Sequence, residues 1–280
     1  VSQTLLSIAL VAGVSWLGLA ALAWLLQGKM VYFPMSQIVA TPADHGMDFE
    51  EVMIETTDGV RLQAWFVRAA EPAGRTVLFF HGNAGNLSHR MDSLVNFRGL
   101  GLDTLLVSYR GYGNSDGRPS ETGTYLDAAA AWDHLTNERG IPGERIVVFG
   151  RSLGGAVASW VAAERDPGGL ILESSFTSII DLGARYYWFL PVRLLSRFSY
   201  DTLGRLPQVR APVLIVHSPQ DEIVPFEHAE ALYEAAPEPR TLLRIRGGHN
   251  DGFLLSGAAY IDGLRSFVAT LDDPTDAAAE

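Results

Sequence analysis

Gly150-Arg151-Ser152-Leu153-Gly154 is the stretch of this chain best suited to chemistry. It follows an apolar run at residues 146–149 and opens a helix-forming run, so Ser152 falls on a strand-to-helix turn. A sharp turn there lifts the hydroxyl above the edge of a sheet. Side chains at positions 150 or 154 would collide with neighbouring backbone, and Gly155 lets the helix lie close to the sheet. The N–H of Leu153 opens into the same space, reinforced by the positive end of the helix dipole. A serine so placed is a nucleophile for acyl transfer, and Leu153 is a donor to the oxyanion that forms.

A serine hydroxyl needs a base. Of seven histidines, only His217, His228 and His249 follow Ser152. His249 lies in Gly247-Gly248-His249-Asn250-Asp251, a loop after the last strand-like run, and suits a chain order of serine, acid, histidine. Asp221, in Ser218-Pro219-Gln220-Asp221-Glu222-Ile223-Val224-Pro225, is the favoured acid, with Glu222 expected to point away. Glu173 is the runner-up acid, although a polar strand-end residue is the more ordinary reading of it. A second oxyanion donor is expected from His81-Gly82-Asn83-Ala84-Gly85-Asn86, where bare glycines let the Asn83 N–H face the developing charge. His81 itself reads as a structural hydrogen-bonder.

These parts predict attack on a carboxylic ester or thioester, an acyl-enzyme, and its hydrolysis by water. Amide cleavage uses the same groups, so a peptidase or amidase stays open, as does a membrane scaffold without catalysis. The chain has no cysteine, which excludes disulfides, thiolate zinc sites, iron–sulfur clusters and a cysteine nucleophile. Lys29 is its one lysine, so Schiff-base and Ser–Lys chemistry have only that residue to use. No metal or organic cofactor is called for. A net charge of −11 argues against a nucleic-acid partner.

The elements that must position these residues follow from period and punctuation. Residues 50–56 and 60–68 read as a hairpin turned at Asp58-Gly59. Short apolar strands are expected at 76–80, 103–108, 145–149, 170–172, 213–217 and 241–245. Helices are expected at 87–99, 122–138, 152–163, 227–235 and 258–271. Apolar strands alternating with helices imply a mostly parallel sheet covered on both faces. Residues 183–206 break this rhythm with Tyr186, Tyr187, Trp188, Phe189, Phe198 and Tyr200, and read as an inserted cap or lip. Residues 273–280 read as a flexible tail.

Residues 4–26 carry no charge and would make a helix about 35 Å long, enough to cross a hydrocarbon core of about 30 Å. A transmembrane anchor over 1–30 is therefore expected, with a linker over 31–48 and a catalytic domain over 49–272. A cleaved signal peptide is the alternative, through Ala21-Leu22-Ala23, but the apolar run continues past that point and no basic residue precedes it. Lys29 favours a catalytic domain on the cytoplasmic side of a single-pass anchor.

Six stretches together resemble the α/β-hydrolase superfamily: HGNAGN at 81–86, YRGYGNSDGRPSE at 109–121, GRSLGGAVA at 150–158, ESSFTSI at 173–179, SPQDEIVP at 218–225 and GGHND at 247–251. More narrowly, the chain is similar to the membrane-anchored branch that includes fungal bud-emergence proteins and animal abhydrolase-domain depalmitoylases. The resemblance runs from residue 50 to about 270. It implies the α/β-hydrolase fold, with Ser152 as nucleophile, His249 as base, Asp221 as orienting acid, and Asn83 and Leu153 as oxyanion donors. It places Tyr109 on the wall near the nucleophile, whereas the residues of that loop alone read as structural, with Arg110 in a buried ion pair. Ser218-Pro219 departs from the family pattern, which often has glycine after the histidine. Trp188, Phe189 and Phe198 are candidates to line an acyl groove or touch lipid, and would serve equally to pack the cap. A lipid-like or acylated substrate is the corresponding expectation.

Overall fold

A computed structural model describes residues 2–271; the expected tail at 273–280 lies outside the described residues. A long helix, α1 (Ser2–Val31), leads into β1 (Phe33–Pro34). Strands β2 (Phe49–Glu55), β3 (Arg61–Val67), β4 (Arg75–Phe80) and β5 (Ala84–Gly85) follow, then helix α2 (Met91–Gly99) and β6 (Leu102–Val107). Next come α3 (Glu121–Asp133), β7 (Ile146–Arg151), α4 (Leu153–Glu164) and β8 (Gly169–Glu173). Three short helices, α5 (Ile179–Tyr186), α6 (Val192–Leu195) and α7 (Thr202–Arg205), precede β9 (Val213–His217). The chain continues through α8 (Glu227–Ala235), β10 (Arg240–Arg244), α9 (Gly252–Ser256) and α10 (Ala258–Thr270).

Eight strands form one sheet in the order β10-β9-β8-β7-β4-β6-β3-β2. From β6 to β10 every pairing is parallel. The opening hairpin of β2 and β3 adds the antiparallel pairings at one edge. Side chains alternate across the inner strands, as the two-residue period of a strand requires. Leu78, Phe80, Val148, Leu172 and Ile215 face α3, α4 and α8. Val77, Phe79, Phe149, Ile171 and Leu214 face α2 and α10. The rings of Phe79 and Phe149 meet edge-to-face at 5.0 Å, both fully buried. Burial of each such side chain is worth about 1.5–3 kcal/mol. With both faces covered, the inner strands read in sequence as continuous apolar runs.

The ranges expected for β9 and α8 coincide with the observed ones, and most others differ by a residue or two at the ends. The helix expected at 87–99 is split by a 3-10 turn at Leu87–His89, which the Asn86 side chain caps by accepting from Ser88 N–H. The helix expected at 122–138 ends at Asp133 and closes through a π turn at His134–Glu138. The cap also differs in extent. It begins with α5 at Ile179, and Tyr200 and Leu206 at its far end are buried in the core.

Residues 31–48, expected as a linker, are instead packed on the domain. Tyr32 is buried, and its hydroxyl lies 2.7 Å from that of Tyr200. β1 pairs in parallel with β5, and the Phe33 N–H donates to the Asn83 carbonyl at 3.0 Å. Pro34 is tolerated because this two-stranded ribbon asks for no N–H there. The segment leaving α1 thus stiffens the loop that carries Asn83.

Candidate active site

The C-terminal ends of β4, β7, β8 and β9 lie side by side, so the loops leaving them meet above one sheet edge. Ser152 sits between β7 and α4 with φ 54° and ψ −119°. A positive φ in a non-glycine residue costs about 1–3 kcal/mol and persists only where its surroundings impose it. Here they do. A Cβ at Gly150 would lie 2.2 Å from the Gly154 carbonyl oxygen, and one at Gly154 would lie 2.1 Å from that of Phe80. Only glycine allows α4 to start this close to β4 and β7. The Gly155 expectation is refined, since its Cβ would strike the Ser175 side chain, 2.2 Å away, rather than the sheet. The Ser152 N–H donates to the Glu173 carbonyl at 2.8 Å, which fixes the turn.

His249 Nε2 lies 3.0 Å from Ser152 Oγ, and His249 Nδ1 lies 2.8 Å from Asp221 Oδ2. Three distant loops therefore converge on one continuous hydrogen-bonded path. The other Asp221 oxygen accepts the N–H groups of Ile223 and Val224, at 2.9 and 2.7 Å. Burial pushes the Asp221 carboxyl up, but hydrogen bonds from His217 and His249, with the Val224 N–H, outweigh it. The net effect holds the carboxyl below the usual carboxylate range. A charged carboxylate on Nδ1 keeps the proton on that nitrogen and leaves Nε2 free to accept from the serine.

Asn83 and Leu153 flank this serine. Both line the same cavity as Ser152 and His249. Leu153 opens α4, where an N–H has no acceptor within the helix. The Asn83 peptide is gripped from behind: its carbonyl accepts from Phe33 N–H and Tyr112 Oη, and its side-chain amide donates to the Val31 carbonyl. A Cβ on Gly82 would come within 3.5 Å of Ser152 Cβ, so the loop passes directly beside the hydroxyl. His81 is fully buried, and burial pushes its pKa down to about 3. It is neutral, donates from Nδ1 to the Gly82 carbonyl, and is structural, as expected.

Several expected positions fall elsewhere. Tyr109 is fully buried and outside the cavity lining, its hydroxyl donating to the His81 carbonyl at 2.9 Å; it supports the loop from beneath and does not face substrate. Trp188 and Phe189 are also outside the lining, since both project outward, Trp188 with 81% of its surface exposed. Phe198 does line the cavity, as do Tyr186 and Tyr187. Glu173 is not the acid, because its carboxylate is engaged by Arg151 Nε and Tyr260 Oη. Glu222 does not point away, since its Oε2 accepts the His249 backbone N–H at 3.1 Å. Arg110 forms the buried ion pair expected of it, with Asp127 and with Asp58 in the hairpin turn. Ser218 has a use: its Oγ donates to the Gly247 carbonyl at 2.5 Å and so ties the acid loop to the histidine loop.

Three residues escape a sequence reading. His217 Nε2 donates to the Val224 carbonyl at 2.8 Å and lies 3.4 Å from Asp221 Oδ2, bracing the acid; its place four residues before Asp221 is the available signal. Arg90 lines the cavity without a carboxylate partner among the described residues. Gln27, at the end of an apolar helix, donates to the Leu195 carbonyl and accepts from Arg197 N–H, which joins α1 to the cap. The cavity itself, about 530 Å3, is walled by α1 on one side and by α5 and α6 on the other. Among the described residues no cluster of His, Asp and Glu is arranged to hold a metal ion.

A mostly parallel sheet with a serine at a strained elbow, and a histidine and acid delivered by later loops, defines an α/β-hydrolase. The comparison with known proteins agrees. The family described as alpha/beta hydrolase fold matches residues 75–203. Over 84% of both chains, the protein is 38% identical to the alpha/beta hydrolase domain-containing protein WAV2 of Arabidopsis thaliana. It is 33% identical to protein bem46 of Schizosaccharomyces pombe, covering 90% of this chain and 88% of that one. An uncharacterized membrane protein of Saccharomyces cerevisiae is 34% identical over 86% of this chain and 88% of its own. The solved structure of a Pyrococcus furiosus esterase superposes with a TM-score of 0.71 at 21% identity, covering 86% of this chain and 98% of that one, and shares the fold. The chain belongs to the α/β-hydrolase family.

Proposed function

We propose that the protein is a membrane-anchored serine hydrolase that cleaves carboxylic esters or thioesters of acyl groups. The observation that carries this reading is the hydrogen-bonded path from Ser152 through His249 to Asp221. Ser152 Oγ attacks the acyl carbonyl as His249 Nε2 takes its proton. Negative charge gathers on the carbonyl oxygen between the N–H groups of Asn83 and Leu153. His249 then passes the proton to the departing alcohol or thiol, leaving an acyl-serine. Water attacks that acyl group with His249 again as base, which releases the carboxylic acid and restores the hydroxyl. Asp221 stays ionised throughout and stabilises the imidazolium. Each oxyanion donor is worth about 2.7–4 kcal/mol of barrier.

The mostly apolar wall of the cavity supports an acyl substrate. The anchor rests on α1, which is long and apolar enough to cross a membrane and nearly all exposed outside its contacts with the cap. The Saccharomyces cerevisiae relative is described as a membrane protein, which supports it too. A panel of acyl esters, thioesters and amides of matched chain length, given to the full chain in detergent, tests the reading. The expected result is turnover of esters or thioesters that Ser152→Ala abolishes. Turnover confined to amides, or unchanged in Ser152→Ala, contradicts it.

A further inference from the structure

The cap is not laid on the catalytic domain alone; it runs alongside α1. Trp16 Nε1 donates to the Phe189 carbonyl at 2.8 Å. Arg197 lies over the Trp24 ring at 4.7 Å, and Gln27 holds Leu195 and Arg197. From Gln27 to Trp16 is about 16 Å along a helix. Trp16 is ten residues before Leu26, the end of the apolar run, hence about 15 Å into it, near the middle of a hydrocarbon core of about 30 Å. The backbone of the cap reaches that level.

The outer surface of the cap matches such a depth. Trp188 and Leu194 are 81% and 86% exposed, and Tyr187 and Phe189 are also exposed. A patch of this kind on a protein surface marks a partner. No charged residue falls within the tip 187–190 itself, and Arg185 just before it faces Glu227 at 4.0 Å. Arg193 reaches back to Asp181, and Arg197 sits beside Trp24 toward the C-terminal end of the helix, where an interface would lie. Between α1 and the cap runs the cavity, with Ala23, Trp24, Val31, Leu182 and Leu190 on its walls and Ser152 at its floor.

We infer that the cap tip, Tyr187–Leu190, is immersed beside α1 in one leaflet of the bilayer, and that the acyl chain of the substrate enters the cavity sideways from that leaflet. This rests on the membrane anchoring and serine chemistry proposed above. The partner surface is the hydrocarbon of the lipid, and α1 is a wall of the binding site as well as a tether. The Tyr186 hydroxyl, bonded to the Glu222 and Ile223 carbonyls at 3.0 and 2.7 Å, links the immersed cap to the loop that holds Asp221.

The test uses the full chain in bilayers whose lipids carry bromine on the acyl chains. Tryptophan emission is compared between the wild type, Trp188→Phe and Trp16→Phe. The expected result is that the emission lost in Trp188→Phe is quenched by bromolipid as strongly as that lost in Trp16→Phe. Quenching of Trp16 by bromolipid but of Trp188 only by aqueous iodide overturns immersion of the cap. Quenching of neither by bromolipid overturns the anchor itself. A second arm replaces Trp188 and Leu194, neither of which lines the cavity, by Asp. The double variant is expected to keep hydrolysis of a short water-soluble ester within about 2-fold and to lose at least 10-fold on a long-chain ester in vesicles. Equal retention of both overturns lateral entry.

A separate observation concerns Arg90. It is half-buried at the start of α2 and lines the same cavity as Ser152 and Asn83. One of its terminal nitrogens donates to the Ala84 carbonyl, but its Nε is buried with no partner among the described residues. Burial, with the nearby Arg151 charge, pushes its pKa down to about 10. Arg151 is neutralised by Glu173, whereas no carboxylate among the described residues is paired with Arg90. A desolvated cation without a counter-ion is costly, and the cost is recovered when an anion arrives. The structure assigns Arg90 as the contact for a phosphate or carboxylate group on the acyl substrate, again resting on the hydrolase reading.

The probes are two monoacyl esters of equal chain length, a monoacylglycerol and its glycerol phosphate counterpart. The wild type is expected to favour the phosphate ester at least 10-fold in kcat/KM, mainly through KM. Arg90→Gln is expected to bring the ratio near one, and Arg90→Lys to restore part of it. A wild type without preference, or a preference that survives Arg90→Gln, overturns the assignment. Hydrolysis of neither ester counts against the hydrolase reading itself.

Discussion

Asp221 and Glu222, neighbours in sequence, grip the same histidine loop at two points: Asp221 accepts from the His249 ring at 2.8 Å, and Glu222 accepts from the His249 backbone N–H at 3.1 Å. Adjacent carboxylates thus have unequal tasks. In the proposed mechanism Asp221 bears on the proton path, and Glu222 on the position of the loop. Asp221→Asn should lower kcat by about 10^4-fold, because an amide can place a donor against Nδ1 and select the wrong tautomer. Glu222→Gln keeps an acceptor for the N–H and should cost less than about 10-fold. Steady-state kinetics on one ester separates them; equal losses would contradict the division of labour.

The charge on Asp221 has a consequence for pH. Its folded carboxyl lies below the ordinary value of about 3.9, so its contribution to stability is complete above that value and fades only as pH falls toward the folded one. The carboxylate band in a wild-type minus Asp221→Asn infrared difference spectrum should therefore persist at about pH 4, where a free carboxyl is half protonated. A protonated-acid band already present at about pH 5 would contradict the geometry.

Gly154→Ala should be disruptive although it adds one methyl group. That carbon would sit 2.1 Å from the Phe80 carbonyl oxygen, which is sheet backbone and has nowhere to go. A loss of about 1–3 kcal/mol, or failure to fold, is expected, measured by urea unfolding. Unchanged stability would mean that the elbow is looser than described.

Arg110 offers a test remote from the serine. Its guanidinium neutralises Asp127, whose side chain is fully buried, and also holds Asp58. Arg110→Met should cost about 3–5 kcal/mol by leaving the Asp127 charge unpaired. Asp127→Asn added to it should recover part of that loss. Thermal unfolding of the wild type and the two variants checks the order.

The parts of the fold legible in the sequence were those fixed by local rules. The buried strands announce themselves as apolar runs, and Ser152 by two glycines between a strand and a helix. His249 and Asp221 follow from chain order and loop position. What was illegible depended on where outward side chains and irregular segments settle. Tyr109 belongs to a motif beside the nucleophile, yet its ring packs below the loop. Residues 31–48 lack regular period and look like a tether, but backbone pairing between Phe33 and Ala84 anchors them. Trp188 and Phe198 are ten residues apart in one aromatic stretch, and nothing in composition says that the first faces outward and the second inward. Gln27 looks like an ordinary polar end to an apolar helix until the cap is found against it.

The central claim is that Ser152 is activated as a nucleophile by His249. Its most direct test is reaction of the full chain in detergent with a fluorophosphonate, read by intact mass and peptide mapping. The expected result is one adduct per chain on Ser152, absent in Ser152→Ala and slowed at least about 10^3-fold in His249→Ala. No adduct in the wild type, an adduct on another residue, or labelling indifferent to His249 would contradict it.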